Sequence, residues 1–172
     1  MIEFWFEYAS TYSYPAAMRI ERLAGEAGLG VVWRPFLLGP LLHAQQGMTD
    51  SPFNVVPVKG AYMWRDLERV CTAEGLPLKR PAIFPQNGLK AARITEALPE
   101  AARPAFVKAV YTANFAEGLK ISEDTVLASI LTRLGHDASG VMTASGTDSV
   151  KAGLKANTEE ALRRGMFGSP TF

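Results

Sequence analysis

The sequence predicts an α/β fold in which a parallel β-α-β unit opens the chain, a large all-helical segment follows, and a strand-like stub ends it. Three observations carry this reading. Residues 2–8, "IEFWFEY", and 31–36, "VVWRPF", are rich in aromatic and β-branched residues and read as buried strands. Between them Tyr14, Ala17, Met18, Ala24 and Ala27 fall roughly on one helical face, and Gly28 and Gly30 stop that helix. From residue 39 to about 146 no segment reads as a strand. Two strands joined by one helix imply parallel pairing with a right-handed crossover.

Each element has a local reason. Ser13 is a good N-cap residue for the first helix, and Pro15 is tolerated in a first turn. The stretch "GPLLHAQQGMTDSPFNVVPVKG", with three prolines and three glycines, reads as a long connection that wraps a surface or lines a site. Residues 60–74 are helical, with Met63, Leu67, Val70 and Cys71 on one side. A helix over 87–97 follows the break "RPAIFPQN", and another over 104–116 begins with proline in its first turn. Ser122 caps the next, whose apolar residues are Val126, Leu127, Ile130, Leu131 and Leu134, and Gly135 ends it. A short helical turn over 139–143 precedes a long amphipathic helix over 147–166 that ends near Gly165 or Gly168. Residues 171–172 begin a strand with nothing left in the sequence to pair or cover it. The expectation is that further C-terminal strands and a helix follow in the natural protein, or that a partner supplies the edge.

Composition bounds the function. A chain of 172 residues, 48% hydrophobic and 20% charged, suits a soluble globular domain, or one domain with an insertion. A net charge of +1 leaves no footprint for a polyanion, so nucleic acid is not the expected partner. No apolar run is long enough for a bilayer, and the acidic start "MIEFWFEYAS" has neither the basic flank nor the cleavage site of a signal peptide. The one cysteine, Cys71, excludes an intramolecular disulfide and any multi-thiolate metal site, and on the apolar stripe it reads as an inert core thiol. The cytoplasm is the expected compartment.

At the first strand-to-helix turn, "EYASTYSY" carries Ser10 and Ser13 with the spacing of a C-x-x-C motif and no sulfur. Three stretches together, "ASTYSY", "PVKGAYMWRDLERVC" and "GMFGSPTF", give the chain a recognisable pattern. It resembles the glutathione-dependent 2-hydroxychromene-2-carboxylate isomerases and the kappa-class glutathione transferases, relatives of the DsbA-type thiol oxidoreductases. The resemblance spans the whole chain. It implies a thioredoxin-like fold made of residues 1–36 and 147–172, incomplete at its C-terminus, with residues 37–146 as an inserted helical domain.

The same resemblance implies a role for Ser10. A helix N-terminus favours an anion, and a hydroxyl there can hydrogen-bond a thiolate brought in from outside. Glutathione would be that thiol and would act as a cofactor, because it is regenerated. The alternative for Ser10 and Ser13 is simple helix capping; Ser13 is assigned mainly to that role. Thr11 stands where relatives often have proline. Pro170 is expected to be cis, with Ser169 before it offering its backbone to the bound peptide. Asn54 and Lys59 are candidates for glutathione's peptide and carboxylates, against a plain solvated-loop role. His43, where relatives often have lysine, is a candidate for the substrate carboxylate or a proton shuttle, with a structural or solvent-facing histidine as the alternative. Asn87 and Arg93 are candidates for a carboxylate. Trp64, Tyr62 and Met63 read as core, with one aromatic available to a planar substrate.

The implied reaction is cis-trans isomerisation in aromatic catabolism, by reversible thiolate addition to an α,β-unsaturated keto acid. The substrate would be a small aromatic molecule, and relatives are homodimers. Two other readings stand beside it: a kappa-like transferase or peroxidase acting on another electrophile, and a non-catalytic thioredoxin-fold binding module.

Overall fold

The computed structural model describes residues 1–172. Strand β1, Ile2–Phe6, pairs in parallel with β2, Val31–Pro35, in a register running from Ile2 opposite Val31 to Phe6 opposite Pro35. Helix α1, Ser13–Glu26, makes the crossover between them. The remaining helices are α2 (Leu38–Gln46), α3 (Pro52–Val55), α4 (Pro57–Ala73), α5 (Leu89–Ala97), α6 (Arg103–Thr112), α7 (Asp124–Arg133), α8 (Ala138–Ala144) and α9 (Asp148–Arg163). A 3-10 turn, Glu100–Ala102, leads into α6, and a π turn, Ala113–Glu117, follows it.

The strand period of two divides β1 between two cores. Phe4, Phe6 and, just beyond the strand, Tyr8 point to one face and are almost fully buried, whereas Trp5 points to the other. The larger core joins 27 buried residues from β1, β2 and helices along the whole chain. An aromatic series runs through it: Phe4 packs edge-on to Trp33 at 5.0 Å, Phe6 to Tyr8 at 5.5 Å, and Tyr8 lies 5.3 Å from Tyr111 of α6. Each such ring contributes about 1.5–3 kcal/mol by burial, with up to about 1.5 kcal/mol more from aromatic pairing. The smaller core gathers Trp5, Phe36, Leu41, Ala161 and Met166, and it seats α2 and α9 on the opposite side of the sheet.

The structure departs from the sequence reading at several points. The segment read as connection carries α2 and α3. Gly39 and Pro40 fall in the first turn of α2, where proline costs no hydrogen bond, and Pro52 opens α3 behind the Ser51 hydroxyl, which accepts from Phe53 N–H. Ser122 does not cap α7; Glu123 holds that position. The terminal stub has a partner within the chain. Thr171 N–H and C=O bond to Trp5 C=O and N–H at 3.0 and 2.9 Å in an antiparallel bridge, and the Phe172 ring stacks on Phe4 at 5.4 Å. Gly135 and Gly165 end α7 and α9 with φ of +80° and +72°, as glycine after a helix should. Met63 and Trp64 are buried as expected, but Tyr62 is exposed. Cys71 is buried, and desolvation raises its thiol pKa to about 11, which makes it unreactive near neutrality. No helix is long and apolar enough to cross a membrane.

Candidate functional site

The site is built on the turn between β1 and α1. The chain leaves β1 at Phe6 and folds back on itself: Ser10 N–H donates to Glu7 C=O at 3.0 Å, and Ala9 N–H donates to the Glu7 carboxylate at 2.9 Å. The amides of Thr11, Tyr12 and Ser13 donate to no other backbone group, so the start of α1 presents free N–H groups and the positive end of the helix dipole.

Across from this turn lies the Ser169–Pro170 bond, which is cis as expected. Ser10 Oγ donates to Ser169 C=O at 2.7 Å, and the hydroxyls of Ser13 and Ser169 bond at 2.8 Å. The expected capping role of Ser13 is corrected. Tyr12 occupies the N-cap with helical torsions, φ −75° and ψ −17°, and no side chain caps the helix. Ser13 is already the first helical residue. Its fully buried hydroxyl ties α1 to the C-terminal segment instead.

Ser10 and Ser169 open into a cavity of about 960 Å³, at the upper end of the ~300–1,000 Å³ usual for small-molecule sites. One wall is α2 with the loop after it, including Leu38, Leu42 and His43; another is Phe53 and Lys59; a third is the segment Phe84–Leu89; Phe167 closes the rim. The cavity thus pairs an anion-favouring helix start with apolar walls and two exposed side chains, Lys59 and His43, that can carry positive charge. Lys59 Nζ lies 5.8 Å over the Phe53 ring. Asn87 also lines the cavity, with its Oδ1 accepting from Leu89 N–H at the start of α5.

Three of the sequence-predicted site residues, Pro170, Asn54 and Arg93, lie outside this lining, as do Tyr62, Met63 and Trp64. Asn54 turns its amide to the Asp50 carboxylate, at 3.1 Å, and to Phe84 C=O, at 3.3 Å. It stitches α3 to the Phe84 segment while its neighbour Phe53 faces the cavity. Arg93 sits on α5 away from the cavity, with its Nε buried and unpaired.

Sequence reasoning missed Glu7, which lines the cavity. Desolvation raises its carboxyl pKa from 4.5 to about 7, against the lowering effect of the Ala9 and Ser10 amides. No lysine, arginine or histidine pairs with it, although twelve ion pairs form elsewhere. The available signal was its place: an acid between two buried aromatics at the carboxyl end of a parallel strand, where open α/β units bind ligands. Sequence reasoning also missed Gln86. It follows the cis Phe84–Pro85 bond and is buried. It donates to Asn114 Oδ1 and Leu119 C=O and accepts from Ile121 N–H, while Asn114 donates to Tyr8 C=O. This polar set fastens one cavity wall to the π turn and to the Ser10 turn.

Comparison with known proteins follows the same lines. The family model described as the DSBA-like thioredoxin domain matches residues 1–172. A 2-hydroxychromene-2-carboxylate isomerase of Pseudomonas putida is 26% identical over 99% of this chain and 83% of its own length. Glutathione s-transferase kappa 2 of Caenorhabditis elegans is 26% identical over 99% of this chain and 79% of its own. A solved structure of a 2-hydroxychromene-2-carboxylate isomerase superposes with a TM-score of 0.89 at 28% identity, covering 99% of this chain and 84% of that one.

Proposed function

The chain belongs to the family of DSBA-like thioredoxin domains, and from that premise we propose that it is a glutathione-dependent isomerase of the 2-hydroxychromene-2-carboxylate type. The observation that carries the proposal is Ser10 in the seat of a redox motif's first sulfur. It stands at the start of α1, across from Ser169, in a cavity with room for a tripeptide and a planar aromatic acid. With no sulfur at position 10 or 13, disulfide exchange has no protein nucleophile at this site, and Cys71 is buried elsewhere. The residues suit a borrowed thiol: a hydroxyl donor, free helix amides, and the Ser169 backbone beside them.

When bound, glutathione supplies a thiolate that adds reversibly to a conjugated double bond and so frees rotation about it. The protein's residues do the rest. Ser10 Oγ rotates from the Ser169 carbonyl to donate to sulfur, and the α1 amides favour the negative charge. Ser169 is left to receive the tripeptide's backbone. Lys59 and His43, at the cavity edge, attract carboxylates. Leu38, Leu42, Phe53 and Phe167 give a planar ring an apolar seat. A free thiol near pKa 8.5 is a minority thiolate at neutral pH, so holding and orienting the ionised form is the main contribution asked of the protein.

Two measurements test this. Glutathione titrated into the protein should produce thiolate ultraviolet absorbance, and catalytic glutathione should support interconversion of the chromene carboxylate and its trans ring-opened isomer. Absence of both would refute the proposal. Absorbance without isomerisation, but with conjugation of another electrophile, would favour the kappa-like reading.

A further inference from the structure

We propose that Glu7 is a catalytic residue that accepts the proton leaving a thiol bound at Ser10 and returns it when that thiol departs. This rests on the glutathione reading above and adds to it a residue and a proton path.

The placement is the first argument. Glu7 lies three residues before Ser10 on one tight turn and lines the same cavity. Its backbone is fixed from two directions: its carbonyl accepts from Ser10 N–H at 3.0 Å and from Tyr111 Oη of α6 at 2.9 Å. One carboxylate oxygen is held by Ala9 N–H at 2.9 Å, so the group is fixed rather than free. Behind it, Gly88 leaves room that a side chain would fill: a Cβ there would lie 3.2 Å from Glu7 Oε1 and 2.7 Å from Tyr8 Cβ.

Charge is the second argument. Glu7 is half-buried with no cationic partner, and a carboxylate withdrawn from water in this way carries a desolvation cost of the kind found at functional sites. The titratable groups around Glu7 do not neutralise it. Tyr8 beside it and Tyr111 from α6 are phenols held neutral by burial, and His43, Asp50 and Lys59 line the same cavity without pairing with it. The carboxyl's tendency to hold a proton near neutrality supports the role.

The step balances. The S–H bond breaks, its electron pair stays on sulfur, and an O–H bond forms on Glu7. Thiol plus carboxylate becomes thiolate plus carboxylic acid, so the pair carries one negative charge before and after. The site relocates one charge within the cavity instead of adding a second to it. On release the O–H bond breaks and the S–H bond re-forms, leaving no net proton exchanged with water.

Proton counting tests this. At about pH 8, where Glu7 is mostly ionised and free glutathione is mostly thiol, wild-type protein should form thiolate absorbance while releasing few protons to a weakly buffered indicator solution. E7Q, which keeps an acceptor for Ala9 N–H, should release close to one proton per thiolate formed. Its kcat should fall about 100-fold, with glutathione affinity changed less than about threefold. S-methylglutathione, which has no proton to give, should release none from either protein. Equal proton release per thiolate in wild type and E7Q would overturn the assignment. Infrared difference spectra need no variant: wild type should gain a carboxylic-acid C=O band with glutathione and not with S-methylglutathione, and no such band would also overturn it. A wild type that binds glutathione and isomerises but fails these tests sinks only Glu7; one that binds no glutathione sinks the underlying reading as well.

Discussion

The hydroxyl of Ser10 donates to the carbonyl of Ser169 across 2.7 Å, joining the turn before the first helix to the last residues of the chain over a separation of 159 positions. A backbone carbonyl is an easy partner to leave, because it retains a second lone pair and can turn to another donor. The same hydroxyl is therefore both a tie and a ready donor to an incoming anion.

Ser10→Ala removes that donor. The variant should lose the thiolate absorbance of bound glutathione at neutral pH, with kcat/KM for isomerisation lowered about 10²–10³-fold, the range seen when one donor to a developing anion is deleted. Ser13→Ala, whose partner is the Ser169 hydroxyl, should cost less than about tenfold. The ultraviolet titration and initial rates check both.

Ser10→Cys places sulfur at the helix start. Its thiol should ionise below the ordinary pKa of about 8.5, because the dipole and free amides favour the thiolate. The pH dependence of alkylation reads this directly. The native thiol does not interfere: Cys71 is buried with its pKa raised to about 11. An introduced thiol that ionises at or above about pH 8.5 would contradict the proposed electrostatics.

Glu7 makes stability depend on pH with a definite sign. Its folded pKa of about 7 lies above the ordinary 4.5, so between those values the folded state binds the proton that the unfolded chain has lost. Its contribution is fully present below about pH 4.5, declines as pH rises, and is gone above about pH 7, a change of at most about 3 kcal/mol. Chemical denaturation of wild type and E7Q across this window should show the slope in wild type alone.

Two structural substitutions test the walls. Gly88→Ala should destabilise the fold by about 1–3 kcal/mol, since its Cβ would meet Tyr8 Cβ at 2.7 Å. Gln86→Leu should cost about 2–3 kcal/mol by stranding Ile121 N–H, Leu119 C=O and Asn114 Oδ1. Denaturant midpoints measure both. Little change in either would mean that the segment relaxes more easily than its packing implies.

What could be read from residues alone, and what could not, follows the range of the physics. The β-α-β opening was legible because strand and helix periodicities are local. The Ser10–Ser13 spacing and the Ser169–Pro170 step were legible because a recognisable pattern tied them together. The helices over Leu38–Gln46 and Pro52–Val55 were hidden because glycine and proline break helices in general but not in a first turn. Asn54 and Arg93 were chosen for chemistry, and their orientations depend on Asp50, Phe84 and the packing of α5, which are tertiary facts. Glu7 was passed over because an acid at a strand end is ordinary until its surroundings are known. Its raised pKa comes from walls contributed by distant parts of the chain, Gly88 and Tyr111 among them.

The chain Tyr8–Asn114–Gln86, together with the Tyr111 hydroxyl on the Glu7 carbonyl, bolts the Ser10 turn and the Phe84–Leu89 wall to α6 and the π turn behind them. That side of the chamber is held in place whatever guest it takes. Selectivity must then be tuned at its unbraced mouth, by Phe167, His43 and Lys59, and these are the positions where exchanging one acceptor molecule for another should be cheapest.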